Sequence, residues 1–150
     1  MSRILAEQAS PAIAGLCASL LCGAAGAVEV NGMGDFAPLH GRYAPGGDCA
    51  REPRITVDAG GITFEVQGAA EKATRLEYAV SFPGPEYSGI SQWFFPFTSA
   101  NGYPVLMTFN ADEKPGRVTI EPNDEGWAGG PKLSARNQAL VKGSPYARCK

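Results

Sequence analysis

The chain has 150 residues and a formal net charge of −2 at pH 7, and its length suits one domain and hardly two. Because the net charge is negative, the composition excludes a general affinity of the whole chain for nucleic acid or for an anionic membrane surface. With one histidine and four cysteines, the sequence also lacks the ligand cluster that a zinc site needs.

The N-terminal segment has the features of a secretory signal peptide. Residues 11–28 carry no charged side chain, and Ala25-Gly26-Ala27 fits the small-x-small rule for cleavage. We therefore expect residues 1–27 to be removed as a signal peptide, and residues 28–150 to form a single exported β-rich domain, periplasmic or secreted. The alternative is an uncleaved anchor, since the apolar segment sits at the lower length limit for a membrane span.

Signal cleavage would leave two cysteines, Cys49 and Cys149. An exported chain with an even number of cysteines predicts a disulfide, and with two the pairing is forced. The bond would close a loop of about 100 residues and so constrain the unfolded chain.

Alternation of apolar and polar side chains predicts a series of short strands. Two of them form a hairpin, because Asp58-Ala59-Gly60-Gly61 between the alternating segments is a turn signal. The predicted strands cover residues 41–43, 54–57, 62–67, 75–82, 88–97, 103–110 and 117–121.

A helix is predicted late in the chain, over residues 133–142. Ser134 can cap its start and Gly143 its end, and Pro145 prevents continuation. Together these elements predict a mainly β fold, a small antiparallel barrel or sandwich of about six to eight strands with one C-terminal helix. This general plan is similar to that of small envelope β-domains such as periplasmic lysozyme inhibitors; the similarity is one of architecture, without a shared motif.

The segment SGISQWFFPF, residues 88–97, concentrates aromatic side chains. Strand alternation puts Trp93, Phe95 and Phe97 on one face, which we expect to be the core face. Phe94 falls on the other, less apolar face and is the aromatic residue of this segment that we predict to contact a partner.

The loop over residues 121–131 combines carboxylates with a tryptophan among glycines. Loops run over the surface, tryptophan is a favoured hot-spot residue, and carboxylates favour a basic partner. The alternative for the tryptophan is a lid over the core, which would bury its indole ring. The predicted partner-binding residues are Trp127, Glu121, Asp124, Glu125 and Phe94.

Catalytic motifs are missing from the sequence: His40 lies in an irregular segment, and no serine sits in a G-x-S-x-G elbow. We predict no catalysis, no metal site and no cofactor. The leading hypothesis is an exported envelope binding domain, of the inhibitor or immunity type, whose partner is an envelope protein with a basic surface. It would bind neither nucleic acid nor, after signal cleavage, membrane.

Two alternative functions are also compatible with the sequence. The aromatic segments could line a barrel interior that carries a small apolar ligand. Alternatively, Glu121, Asp124 and Glu125 could supply the acid/base pair of a small carboxylate-dependent hydrolase.

Overall fold

The computed structural model describes residues 27–79, 83–124 and 128–150. The predicted signal peptide (apart from Ala27), the end of the predicted strand 75–82, and two predicted binding residues, Glu125 and Trp127, lie outside this part of the chain.

Ten antiparallel strands form one curled, half-barrel sheet. In chain order they are β1 (Val28–Asn31), β2 (Gly41–Pro45), β3 (Arg54–Asp58), β4 (Gly61–Val66), β5 (Ala69–Ala73), β6 (Arg75–Tyr78), β7 (Gln92–Phe95), β8 (Val105–Phe109), β9 (Arg117–Pro122) and β10 (Tyr146–Arg148). Helix α1 (Ala135–Gly143) follows β9, and 3-10 turns occupy Gly34–Leu39 and Ala111–Glu113. The mainly β prediction with one C-terminal helix is confirmed, with more strands than expected.

The order of the strands is β1-β6-β7-β8-β9-β10-β2-β3-β4-β5. The short strand β10 therefore joins two groups of strands, because Tyr146 lies opposite Val118 of β9 and opposite Pro45 of β2. At the other end, Thr74 alone separates β5 from β6, and its carbonyl accepts a 2.7 Å hydrogen bond from the Gly32 N–H after β1. The two ends of the strand order are thus linked, and the sheet curls.

The core fills the inside of this curl. Its largest fully buried side chains are Tyr43, Tyr146, Phe64, Phe94, Phe109, Met33, Ile55, Ile62, Leu76, Met107, Ile120 and Leu140. Helix α1 packs against β4 and β9, and Ser134 caps it as predicted, accepting a hydrogen bond from the Asn137 N–H. Leu140 of the helix is part of the core, so the helix packs against the inner face of the sheet.

Two buried tyrosines of the sheet form hydrogen bonds to the segments that pack against it, the first 3-10 turn and helix α1. The Tyr43 hydroxyl donates to the Leu39 carbonyl at 2.7 Å, and the Tyr146 hydroxyl donates to the Leu140 carbonyl at 2.6 Å. Both phenols thus find the partner that a buried hydroxyl requires. Burial also raises the pKa of Tyr146 well above its ordinary value, so this hydroxyl stays a neutral donor.

Cys49 and Cys149 form the predicted disulfide. Their Cα atoms are 5.7 Å apart, a normal separation for such a bond. The Cys149 N–H also donates to the Arg42 carbonyl at 2.8 Å, which prolongs the pairing of β10 with β2. A disulfide fits an oxidising compartment. Within the described residues, no helix has the length and apolar character that crossing a bilayer requires.

The disulfide gives a testable prediction for stability. The Cys49→Ala/Cys149→Ala double variant should lose about 2–5 kcal/mol in the free energy of unfolding, because the bond closes a long loop of the unfolded chain. Urea unfolding of the oxidised parent and the variant, followed by circular dichroism, measures the difference. An unchanged midpoint would mean that β10 keeps its place without the bond.

Candidate functional site

A second apolar cluster lies on the outer face of the sheet, apart from the core. Phe95 and Leu106 form its centre, and half-buried Trp93 and Tyr103 pack against it. Successive side chains of a strand point to opposite faces. Since Phe94 belongs to the core, its neighbour Phe95 faces outward.

The predicted orientation of β7 is wrong for two of its aromatic residues. Trp93 and Phe95 face outward, whereas Phe97, which lies beyond the strand end, does reach the core. Phe94 is completely buried and packs edge-on against Phe36 and Phe109, with ring centroids 4.9 and 5.6 Å apart. It offers no surface to a partner and is left out of the candidate site.

Tyr103 covers the outer cluster and is held in place by Asp124. Its ring stacks on Phe95 with centroids 4.3 Å apart. The Tyr103 N–H donates to Asp124 Oδ2 at 2.7 Å, and the Asp124 N–H donates to the Tyr103 carbonyl at 3.1 Å. Gly102 permits this contact, because a Cβ at that position would lie 2.4 Å from Asp124 Oδ2. Asp124 is therefore a positioning residue as well as a surface charge.

Carboxylates flank the outer cluster on both sides. Glu77 of β6 lies directly opposite Phe95, and Glu121 of β9 lies directly opposite Leu106. Together with Asp124, these side chains form no ion pair with any other described residue. The residues of the site, which we call the acidic aromatic face, are Glu77, Trp93, Phe95, Tyr103, Leu106, Glu121 and Asp124.

The Tyr103 hydroxyl belongs to the electrostatics of this face. Burial raises its pKa, and a hydrogen bond with Glu77 and the charges of Glu77 and Asp124 raise it further. The phenol therefore stays neutral beside the carboxylate. Glu77 also lies opposite Glu29 of β1, and the Glu29 carboxylate is neutralised by Arg75 at 2.7 Å.

Glu113 holds the loop that precedes β7, next to the acidic aromatic face. Its carboxylate accepts hydrogen bonds from the Tyr87 hydroxyl, from the Ile90 N–H at 2.6 Å and from the Ser91 hydroxyl at 3.0 Å. The Tyr87 ring in turn packs edge-on against Trp93, with centroids 5.1 Å apart. The hydrogen bond from Tyr87, followed by that from Ile90, lowers the pKa of Glu113.

The structure brings only part of the predicted binding set together. Glu121 and Asp124 lie on the acidic aromatic face, and Glu125 and Trp127 directly follow them in the chain but are outside the described residues. Sequence reasoning did not assign Glu77, Trp93, Phe95 or Tyr103 to a site. The signal that could have found them is cross-strand: an acidic residue in one strand opposite an aromatic residue in the next.

Comparisons with protein-family models, with curated proteins and with solved structures gave no match to this chain. The similarity in plan to lysozyme inhibitors therefore stays a prediction. A fold alone does not determine a function, which depends on the residues of the face itself.

The lowered pKa of Glu113 predicts a pH-dependent loop. Its contacts stabilise the fold fully above the ordinary glutamate pKa, and this stabilisation is lost as the pH falls through the lowered value. In NMR spectra, the Ile90 amide should shift upfield on acidification as it loses its charged acceptor. The Glu113→Gln variant should show no such step, and a parent protein without the step would contradict the prediction.

Proposed function

We propose that this protein is an exported, non-enzymatic binding domain that captures a basic protein of the cell envelope through the acidic aromatic face. The observation that carries the proposal is the Phe95–Tyr103 stack on the outer side of the sheet, between carboxylates that have no cationic partner among the described residues. Aromatic rings supply contact area, and unpaired carboxylates attract a basic surface.

The outer cluster is not needed to complete the core, and this supports a role in binding. An antiparallel sheet requires one apolar face and commonly leaves the other to water. Here the inner face is already filled by the buried core, yet the outer face carries a further group of aromatic side chains. Trp93 and Tyr103 remain half-buried there, so part of each ring stays accessible to a partner.

The face is also held rigidly, which favours affinity. Glu77, Phe95, Leu106 and Glu121 sit on paired strands whose register fixes their spacing. Tyr103 is fixed by its contacts with Asp124. A surface that is ordered before binding loses little conformational entropy in the complex. Such a surface suits an inhibitor or immunity-type protein, which must cover a hydrolase without being turned over.

Residues 121–131 extend the proposed surface. Because Glu121 and Asp124 lie on the face, we include Glu125 and Trp127 in the contact region on their proximity in sequence. Export rests on the signal-like segment 1–27 and is supported by the disulfide, which persists in oxidising compartments.

Removing two carboxylates of the face tests the electrostatic part of the proposal. The Glu77→Gln/Glu121→Gln variant should bind its envelope partner on the order of tenfold more weakly, because two charges that attract a basic surface are lost. The measurement is affinity capture from an envelope extract of the source organism with quantitative mass spectrometry, repeated with the purified partner at rising salt concentrations.

The matched control is Asp35→Asn, which removes an exposed carboxylate from the 3-10 turn Gly34–Leu39, outside the face. It should capture the partner as the parent does. The proposal fails if each basic protein that the parent captures is captured equally by the double variant.

Replacing the tryptophan of the adjoining loop tests the apolar part. Trp127→Ala should weaken the same complex by about 2 kcal/mol, roughly thirtyfold, as expected for a hot-spot residue, and leave the free energy of unfolding nearly unchanged. Calorimetric titration gives the affinity, and urea unfolding gives the stability. Equal binding by variant and parent would remove the loop from the contact surface; a large loss of stability would instead indicate a lid over the core.

A further inference from the structure

A groove of about 690 Å³ opens on the surface beside β10. The end of β10, the loop between the Ala111–Glu113 turn and β9, and Pro38 of the first 3-10 turn form its walls. Its charged lining residues are Lys114, Arg117 and Arg148, and none of the lining residues is acidic. No residue of the groove belongs to the acidic aromatic face, so it is a second and differently charged surface.

Arg148 is fixed in this groove by neutral partners. Its Nη2 donates to the Pro38 carbonyl at 2.9 Å and to the Tyr43 hydroxyl at 3.0 Å. The guanidinium carbon lies 5.5 Å from the centroid of the Tyr43 ring. Within the described part of the chain, no carboxylate pairs with Arg148, and its Nε and Nη1 donate to no protein acceptor.

Arg117 also keeps an unused donor. Asp112 Oδ2 lies 3.2 Å from its Nε, close enough for an ion pair. That nitrogen is nevertheless buried without a hydrogen-bond acceptor among the described residues, so the N–H does not point at the carboxylate. Lys114 is exposed and has no ion-pair partner in the same part of the chain.

We propose that this groove binds a phosphate group. Three cationic side chains against the one carboxylate of Asp112 leave a charge of +2, which matches the roughly −2 of a phosphate monoester better than the single charge of a carboxylate. Guanidinium groups present donors in a fork that fits phosphate oxygens. Pro115, Pro145 and Ala147 supply apolar wall beside the charges, and these hold the organic part of the ligand. The phosphate comes either from a phosphorylated small molecule or from a lipid headgroup.

Titration with inorganic phosphate tests the site directly. NMR resonances of the arginine Nε–H groups and of the Gly116 and Ala147 amides should shift saturably with phosphate at constant ionic strength, and not with sodium chloride. Lys114→Gln and Arg117→Gln should each weaken phosphate binding about tenfold, the loss expected for one charged hydrogen bond. Arg148 is left unchanged because it also holds Pro38 and Tyr43 in place.

The matched control is Lys132→Gln, which removes an exposed positive charge outside the groove and should bind phosphate as the parent does. Thermal unfolding establishes that each variant is folded. A site for free phosphate is overturned if the shifts do not saturate or if sodium chloride produces the same shifts. It is also overturned if the groove variants bind phosphate as tightly as the parent.

Vesicles distinguish the two sources of the phosphate. The parent is tested in flotation assays against vesicles that contain phosphatidic acid, whose headgroup is a phosphate monoester, with phosphatidylcholine vesicles as the reference. Binding to phosphatidic acid vesicles that is weakened by Lys114→Gln and by Arg117→Gln assigns the groove to a lipid headgroup, even where free phosphate binds too weakly to saturate. The proposal is overturned if the protein shows neither saturable phosphate binding nor vesicle binding that depends on Lys114 and Arg117.

Discussion

The pairing of β10 with its two neighbours is the constraint on which the remaining structure depends. This strand has three residues, yet it connects a group made of β1 and the strands from β6 to β9 with the strands from β2 to β5. Tyr146 fixes it from the inside through its bond to the helix carbonyl of Leu140. The disulfide fixes it from the far end, where Cys149 follows the strand. A strand too short to be stable by itself is thus held by a hydrogen bond, a covalent bond and two neighbours.

Both candidate surfaces depend on that strand. The acidic aromatic face uses Glu121, which lies in β9, and β9 is paired on its other side with β10. The groove takes Ala147 and Arg148 from β10 itself and Arg117 from β9, opposite Ala147. The chain therefore presents an acidic and a basic surface on one continuous sheet, so that its modest net charge conceals two regions of opposite sign.

The parts of the fold that could be predicted are those encoded locally. The β3–β4 hairpin follows from alternation and a glycine turn, and α1 follows from Ser134 at its cap. The disulfide could be predicted because signal cleavage would leave two cysteines, which can pair in one way. By contrast, β5 has the sequence AAEKA and is mostly exposed, and β10 is too short to show a period. Both segments form strands because neighbouring strands pair with them, and not because their own sequences alternate between apolar and polar residues.

The candidate site was harder to predict because it depends on register. Both sides of β7 are aromatic, so alternation separated Phe94 from Phe95 without revealing which of them faces the core. That choice is set by pairing with β8, where Phe94 lies opposite the buried Met107, and a shift of one residue would reverse it. The contact of Glu77 with the cluster likewise exists only across strands. Glu121 at the end of β9 and Asp124 just beyond it could be proposed from the sequence, because they belong to a local run of carboxylates and glycines over residues 121–131.

The position of β10 in the chain also bears on aggregation. Every other strand of the sheet precedes it in sequence, so β2 and β9 are complete while the strand that separates them is still missing. Until Tyr146–Arg148 is in place, each of these strands exposes a row of unpaired N–H and C=O groups, the kind of edge that pairs with other molecules. One three-residue strand covers both edges at once, and in doing so it protects the protein from association through its own sheet.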